Sequence, residues 1–223
     1  MASDLTPGRT RTEGEAADAA RPMATPAFFD DVPAILMYDA LAQALGAVAD
    51  GVIEYRYLDA VKLAGHSCPT VAGAWLMMRA ALARLYPGEM PRRGELQVEM
   101  REPQDAGVTG VIASVAGLVT GAAGPGGFHG LGGRHVRRGL LEFGKSMHGQ
   151  VRLTRVDTGR SVEVSHHPEA VGRPARLGPL MQAAMAPGAD NDARQAFAKV
   201  WQEWVRTILM EHANDSALIS VQE

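Results

Sequence analysis

Apolar positions recur along the chain in two periods. Val71, Trp75, Met78, Leu82 and Leu85 follow one another at spacings of three and four, so they form one face of a helix. That helix runs to Tyr86 and is stopped by Pro87-Gly88. Phe197, Trp201, Trp204 and Ile208 repeat the spacing behind Asp190–Asp192 and predict a long terminal helix. Ile35, Leu36, Tyr38, Leu41, Ala42 and Leu45 predict a first helix opened by Pro33, with Asp30 and Asp31 at its start and Gly46 as its stop. Shorter helical turns are expected at 59–64, ahead of Gly65, and around Leu180, and a short basic helix over 134–143. Period-two alternation predicts strands over 51–58 and 95–102. Residues 110–120 are apolar and β-branched and read as a central strand. Residues 150–156 and 160–166 read as a hairpin turning on Asp157-Thr158-Gly159. Strands come first alone and then in pairs, with helices between and after them. The expected fold is therefore α+β, a mixed or antiparallel sheet packed against helices, with a long helix at the C-terminal end.

Composition narrows the function classes. The chain has 223 residues, enough to bury a core without disulfide staples. Its single cysteine, Cys68, rules out an internal disulfide and a zinc finger. A net charge of −3 argues against a broad nucleic-acid footprint. No stretch approaches the roughly 18 apolar residues of a membrane span. The first 27 residues contain no apolar run, so no secretory signal is expected in them and a disordered tail is. The expectation is a cytoplasmic protein with a single folded domain over 28–223.

The most informative local feature is Gly65-His66-Ser67-Cys68-Pro69. Pro69 suits the first position of a helix, where its missing N–H costs nothing. Cys68 is then the N-cap, and its sulfur faces free backbone N–H groups and the positive end of the helix dipole. Such a position favours the thiolate, the form that binds metals and attacks electrophiles. His66, two residues earlier, is close enough to share a ligand sphere or a proton with it. The plain alternative is an inert buried thiol beside a satisfied histidine. Residues 117–133 hold eight glycines and lead into Arg134, His135, Arg137 and Arg138. That loop could wrap an anionic ligand with backbone amides, through Gly124, Gly126, Gly127 and Arg134. It has neither the G-x-G-x-x-G spacing of a dinucleotide fold nor a P-loop. His129, in mid-loop, is the candidate third ligand, and His135 is the next. His148, His166, His167 and His212 read as surface or capping residues. Asp59, Lys62, Glu99 and Asp105 form no recognisable catalytic pattern.

The stretch Tyr57–Leu82 resembles the core of the FmdE family, which takes its name from a component of formylmethanofuran dehydrogenase. The residues that carry the likeness are Gly65, His66, Cys68, Pro69 and Gly73. Val119-Thr120-Gly121 and the glycines after it resemble that family's looser second motif. The resemblance implies an α+β core, commonly dimeric, with a metal or reactive-thiol site at the His and Cys. Family members often carry a cysteine where this chain has Ala122 or Ala123, and many add a zinc finger that this chain cannot form.

Three functions follow as expectations. The first is a metal-dependent enzyme in which His66 and Cys68, with His129 or His135, hold one Zn or Fe ion per protomer and act on a small, anionic or one-carbon substrate. The second is metal-free thiol or redox chemistry with Cys68 as nucleophile and His66 as base. The third is a noncatalytic cofactor-carrying or assembly subunit that docks a partner through Trp201 and Trp204. A small-molecule ligand and a homodimer are expected; nucleic acid and membrane are not.

Overall fold

The structure is a computed structural model that describes residues 23–223. Most of the segment expected as a disordered tail, residues 1–22, lies outside the described residues. The fold is α+β. Strand β1 (Ile35–Tyr38) leads into the short helix α1 (Ala40–Ala44), and β1 pairs antiparallel with β2 (Val52–Tyr55) as a two-stranded ribbon. Helices α2 (Tyr57–Ala64) and α3 (Pro69–Leu85) follow, then β3 (Leu96–Met100) and α4 (Thr109–Thr120). The chain continues through β4 (Leu141–Glu142), β5 (Val151–Arg155), β6 (Ser161–His166), α5 (Leu177–Met185), α6 (Asn191–Arg206) and β7 (Ile219–Gln222). The main sheet has the order β4-β3-β5-β6-β7. β4 is parallel to β3, and the remaining pairs are antiparallel.

Helix α3 is the centre of the molecule. Val71, Ala72, Ala74, Trp75, Met77, Met78, Ala81 and Leu85 are wholly buried, because the sheet covers one side of the helix and α4 and α2 cover others. A helix enclosed on most of its circumference has little need of a polar face, which explains its run of apolar residues on nearly every side. Each buried Leu, Met or Val contributes about 1.5–3 kcal/mol relative to exposure, so this one helix anchors much of the fold.

Three expected elements differ from those observed. Residues 35–38 form β1 rather than a helix. Ile35 and Met37 are buried and Leu36 is exposed, an alternation that is satisfied by pairing with β2. The helix begins only at Ala40, where Asp39 accepts the N–H groups of Leu41 (2.9 Å) and Ala42 (3.1 Å). Residues 110–120 form α4 rather than a central strand. Thr109, Ile112, Ala113, Ala116, Val119 and Thr120 are among its buried positions, a helical stripe whose alanines allow close approach to α3. Residues 134–143 form turns and the two-residue β4 rather than a basic helix. Gly139 is left-handed, and so is His135 (φ 58°), which no helix interior tolerates. Among the described residues, no helix is long and apolar enough to cross a membrane.

Candidate functional site

The turn between α2 and α3 is built from the inside out. Gly65 ends α2 in the left-handed conformation (φ 74°) and donates its N–H to the Val61 carbonyl. A side chain there would meet nothing within 4 Å, so the backbone angle alone is the reason for glycine. Ser67 is buried, and its hydroxyl shares a 3.0 Å hydrogen bond with the buried Tyr57 phenol. Burial pushes the Tyr57 phenol well above its usual pKa, so it acts as a neutral hydrogen-bonding group. The Ser67 carbonyl accepts the Trp201 indole N–H (2.8 Å) and the Gln202 amide (3.3 Å), both from α6. Cys68 then caps α3 with Pro69 at its first position, and its Sγ accepts the N–H of Val71 at 3.5 Å. The capping role expected of Cys68 is therefore the one observed.

A cavity of about 470 Å³ lies against this turn. His66, Cys68, Pro69 and Thr70 form one side of it, and Val108 and Ile112 reach it from the start of α4. Gln150, His166 and Pro168 come from the sheet side, and the Trp201 and Trp204 indoles close it from α6. The two indoles stand edge to face, with centroids 6.0 Å apart. They are thus intramolecular walls of the cavity.

His66 is exposed, and its Nδ1 lies 2.9 Å from the Ala64 carbonyl oxygen. A carbonyl can only accept, so Nδ1 is the donor, and in the neutral ring the lone pair lies on Nε2. His166, at the end of β6, is only 8% exposed. Burial, assisted by the charge of neighbouring His167, pulls its pKa down to about 4 and keeps the ring neutral. Its Nε2 is shielded from solvent and has no hydrogen-bond partner among the described residues. The ring lies directly on α3 at Gly73, where a Cβ would fall within 3.0 Å of three ring atoms. Gly73 is therefore the gap in α3 that admits the imidazole.

The structure corrects the expectation that His166 is a surface or capping residue. A signal for its burial is present in the sequence, because Val162 and Val164 are buried on the same face of β6, and period two carries that face to His166. His148 and His167 do not line the cavity, and His212 pairs with Asp215 (2.8 Å).

The glycine loop lies elsewhere. It follows Gly121 at the C-terminal end of α4, whereas Val108 and Ile112 line the cavity at the opposite end of that helix. Twelve helical residues separate the two ends by about 18 Å. Gly124, Gly126, Gly127, His129, Arg134 and His135 are absent from the cavity walls. Much of the loop's backbone bonds to itself. The Gly124 carbonyl accepts Gly127 and Gly139, the Ala123 carbonyl accepts Leu140 and Leu141, and the Phe128 carbonyl accepts Arg137 and Arg138. His129 Nδ1 is 3.5 Å from the Arg138 guanidinium. The loop is tethered by Arg137, whose buried side chain meets Asp39 at 2.7 Å while Arg93 meets the other carboxylate oxygen at 2.9 Å. Burial alone would raise the Asp39 pKa, but the Arg93 and Ala42 hydrogen bonds and the Arg137 charge outweigh it and hold the carboxyl below its usual value. The candidate loop residues and the His66–Cys68 pair are thus not brought together. Among the described residues, no three His, Cys, Asp or Glu side chains form a group that could hold a metal ion.

No protein-family model matches the chain. No curated protein matches it either, so the likeness to the FmdE family stands on Gly65, His66, Cys68, Pro69, Gly73 and the looser second motif alone.

Proposed function

We propose that this protein binds a small molecule in the cavity against the His66–Cys68 turn, and that the Cys68 sulfur is the group that acts on it. One observation carries the reading. The side chain that caps α3 and accepts the Val71 N–H also lines a cavity of about 470 Å³. The sulfur sits at the N-terminus of α3, and the cavity gives an electrophile a place to meet it. His66, on the same side of the cavity, is the proton acceptor this reading assigns. In this reading the sulfur adds to an electrophilic carbonyl carbon of the bound molecule, the S–H bond breaks with its proton passing to His66, and the carbonyl oxygen takes the C=O π pair and then that proton.

A second reading uses the same two residues as ligands for a zinc or iron ion. The favouring observation is the hydrogen bond from His66 Nδ1 to the Ala64 carbonyl, the kind of contact that orients a ligating imidazole. Sulfur with imidazole nitrogen is a donor set that both metals accept, and a bound ion would supply Lewis acidity. The resemblance to the FmdE family supports this second reading as much as the first.

One experiment separates them. Native protein is analysed for metals and treated with iodoacetamide, beside Cys68→Ala and His66→Asn variants. Metal-free protein alkylated once at Cys68, at a rate that falls several-fold in His66→Asn, supports the thiol reading. Stoichiometric zinc or iron that is lost in both variants replaces it with the metal reading. A metal-free protein whose folded form resists alkylation overturns both.

A further inference from the structure

The cavity also indicates what kind of molecule it takes. Its walls are two indoles, two prolines and the aliphatic side chains of Val108 and Ile112. Its polar groups are Thr70, Gln150, Cys68 and the two histidines. Among the described residues, no lysine, arginine, aspartate or glutamate lines it. An anionic ligand would leave its hydration shell without meeting a charged partner, a loss that such walls cannot offset. This departs from the anionic substrate suggested by the glycine loop, whose arginines and amides lie at the far end of α4.

Two of the lining residues carry a buried polar atom that has no partner among the described residues. His166 Nε2 is one, and Trp204 Nε1 is the other. Buried donors and acceptors in folded proteins are rarely left without a partner, because each costs free energy until it is satisfied. Both atoms are shut off from the cavity as they are from solvent, so they do not select its ligand. Edge-to-face indoles beside proline rings offer flat apolar surfaces that suit a planar ring system. The volume of about 470 Å³ is within the ordinary range for a small-molecule site and has room for two fused rings.

We infer that the ligand of this cavity is a neutral, planar, largely apolar molecule. The inference rests on the reading of the cavity as the site where Cys68 acts, and it specifies the class of molecule presented to that sulfur.

A matched pair of probes tests it. 2-Acetylnaphthalene is neutral and carries a ketone; 2-naphthoate has the same rings with a carboxylate. Each is titrated into the full chain at pH 7.5, followed by quenching of tryptophan fluorescence and by protection of Cys68 from iodoacetamide. The expected result is saturable one-to-one binding of 2-acetylnaphthalene, at least tenfold slower alkylation of Cys68, and at least tenfold weaker binding of 2-naphthoate. Val108 is 50% exposed and lines the cavity, so Val108→Trp narrows the site at a position that tolerates bulk. It should weaken 2-acetylnaphthalene binding at least tenfold with an unchanged circular dichroism spectrum. Equal or tighter binding of 2-naphthoate, no binding of either probe, or unchanged binding in Val108→Trp overturns the inference. The two proposals fail separately. Probe binding beside an inert Cys68 removes the thiol reading and leaves the ligand class, whereas a reactive Cys68 without preference for the neutral probe does the reverse.

Discussion

Replacing Gly73 by alanine sets two effects of opposite sign against each other. In an exposed helix interior, Gly→Ala is worth about 1 kcal/mol of added stability, because glycine loses more backbone entropy on folding. At Gly73 the new methyl would sit on the His166 ring, within 3.0 Å of Nδ1, Cε1 and Cγ. Carbon atoms at ease are about 3.5–4.0 Å apart, so the ring must move, and it is buried at the end of a paired strand. Forcing a methyl into a packed site typically costs about 1–3 kcal/mol, occasionally more. The overlap involves three ring atoms rather than one, which places this case at the upper end. After the helical gain is subtracted, Gly73→Ala should be destabilising by about 1–2 kcal/mol. The space open to the displaced ring is the cavity itself, so 2-acetylnaphthalene binding should also weaken. Urea unfolding of wild type, Gly73→Ala, His166→Ala and the double variant measures the coupling. With the ring gone, the alanine should recover its helical advantage, so the double variant should be more stable than His166→Ala alone. A Gly73→Ala protein more stable than wild type would refute the account, as would costs that simply add in the double variant.

Other outcomes follow from the same contacts. Well above about pH 6.5 the His166 ring is neutral in both folded and unfolded chains and its ionisation has no effect on stability. As pH falls from about 6.5 toward about 4, only the unfolded chain takes up the proton. Stability should therefore fall by about 3 kcal/mol across that window, and urea titrations at about pH 7 and pH 4.5 should show a shallower loss in His166→Gln. Trp201→Phe removes the 2.8 Å bond to the Ser67 carbonyl and should cost about 1 kcal/mol in thermal or urea unfolding. Cys68 alkylation should be faster in that variant, because α6 then holds the turn through Gln202 alone. Asp39→Asn leaves two arginine charges in a buried setting without their carboxylate. A loss of about 3 kcal/mol in urea unfolding is expected, and a change below about 0.5 kcal/mol would show that the arginines find other partners.

Much of the site is legible in the sequence where a local rule dominates. Pro69 after Cys68 dictates a cap, and the structure has that cap. The stripes through Trp75 and Trp201 place both helices, and Asp157-Thr158-Gly159 places the β5–β6 hairpin. The elements that differ share a cause. Residues 110–120 are β-branched enough to suggest a strand, yet their run exceeds a usual buried strand. Ala113, Ala116 and Gly117 are the helical clue, and it becomes decisive only beside α3. Ile35, Leu36 and Tyr38 fit either period over so short a run, so β1 and the start of α1 merge into one apparent helix. The composition of the glycine loop suggests a binding role, and nothing in its sequence states that the Cys68 turn meets the other end of α4. His166 reaches the cavity by pairing of β6 with β5 and β7, a long-range fact that no local window contains.

The order of the cavity walls along the chain has a consequence for biosynthesis. The Cys68 cap, the start of α4 and the hairpin all precede residue 167, while both indoles that close the cavity come from α6. Chains are made from the N-terminus, and early segments can begin to fold before later ones appear. Until α6 arrives, the thiol and the apolar face around it have no cover, and the Ser67 carbonyl has no indole donor. A nascent or truncated chain of this length would therefore be open to oxidation at Cys68 and to association through the bare face of the sheet and α3. Closure by α6 both completes the cavity wall and ends that vulnerable interval.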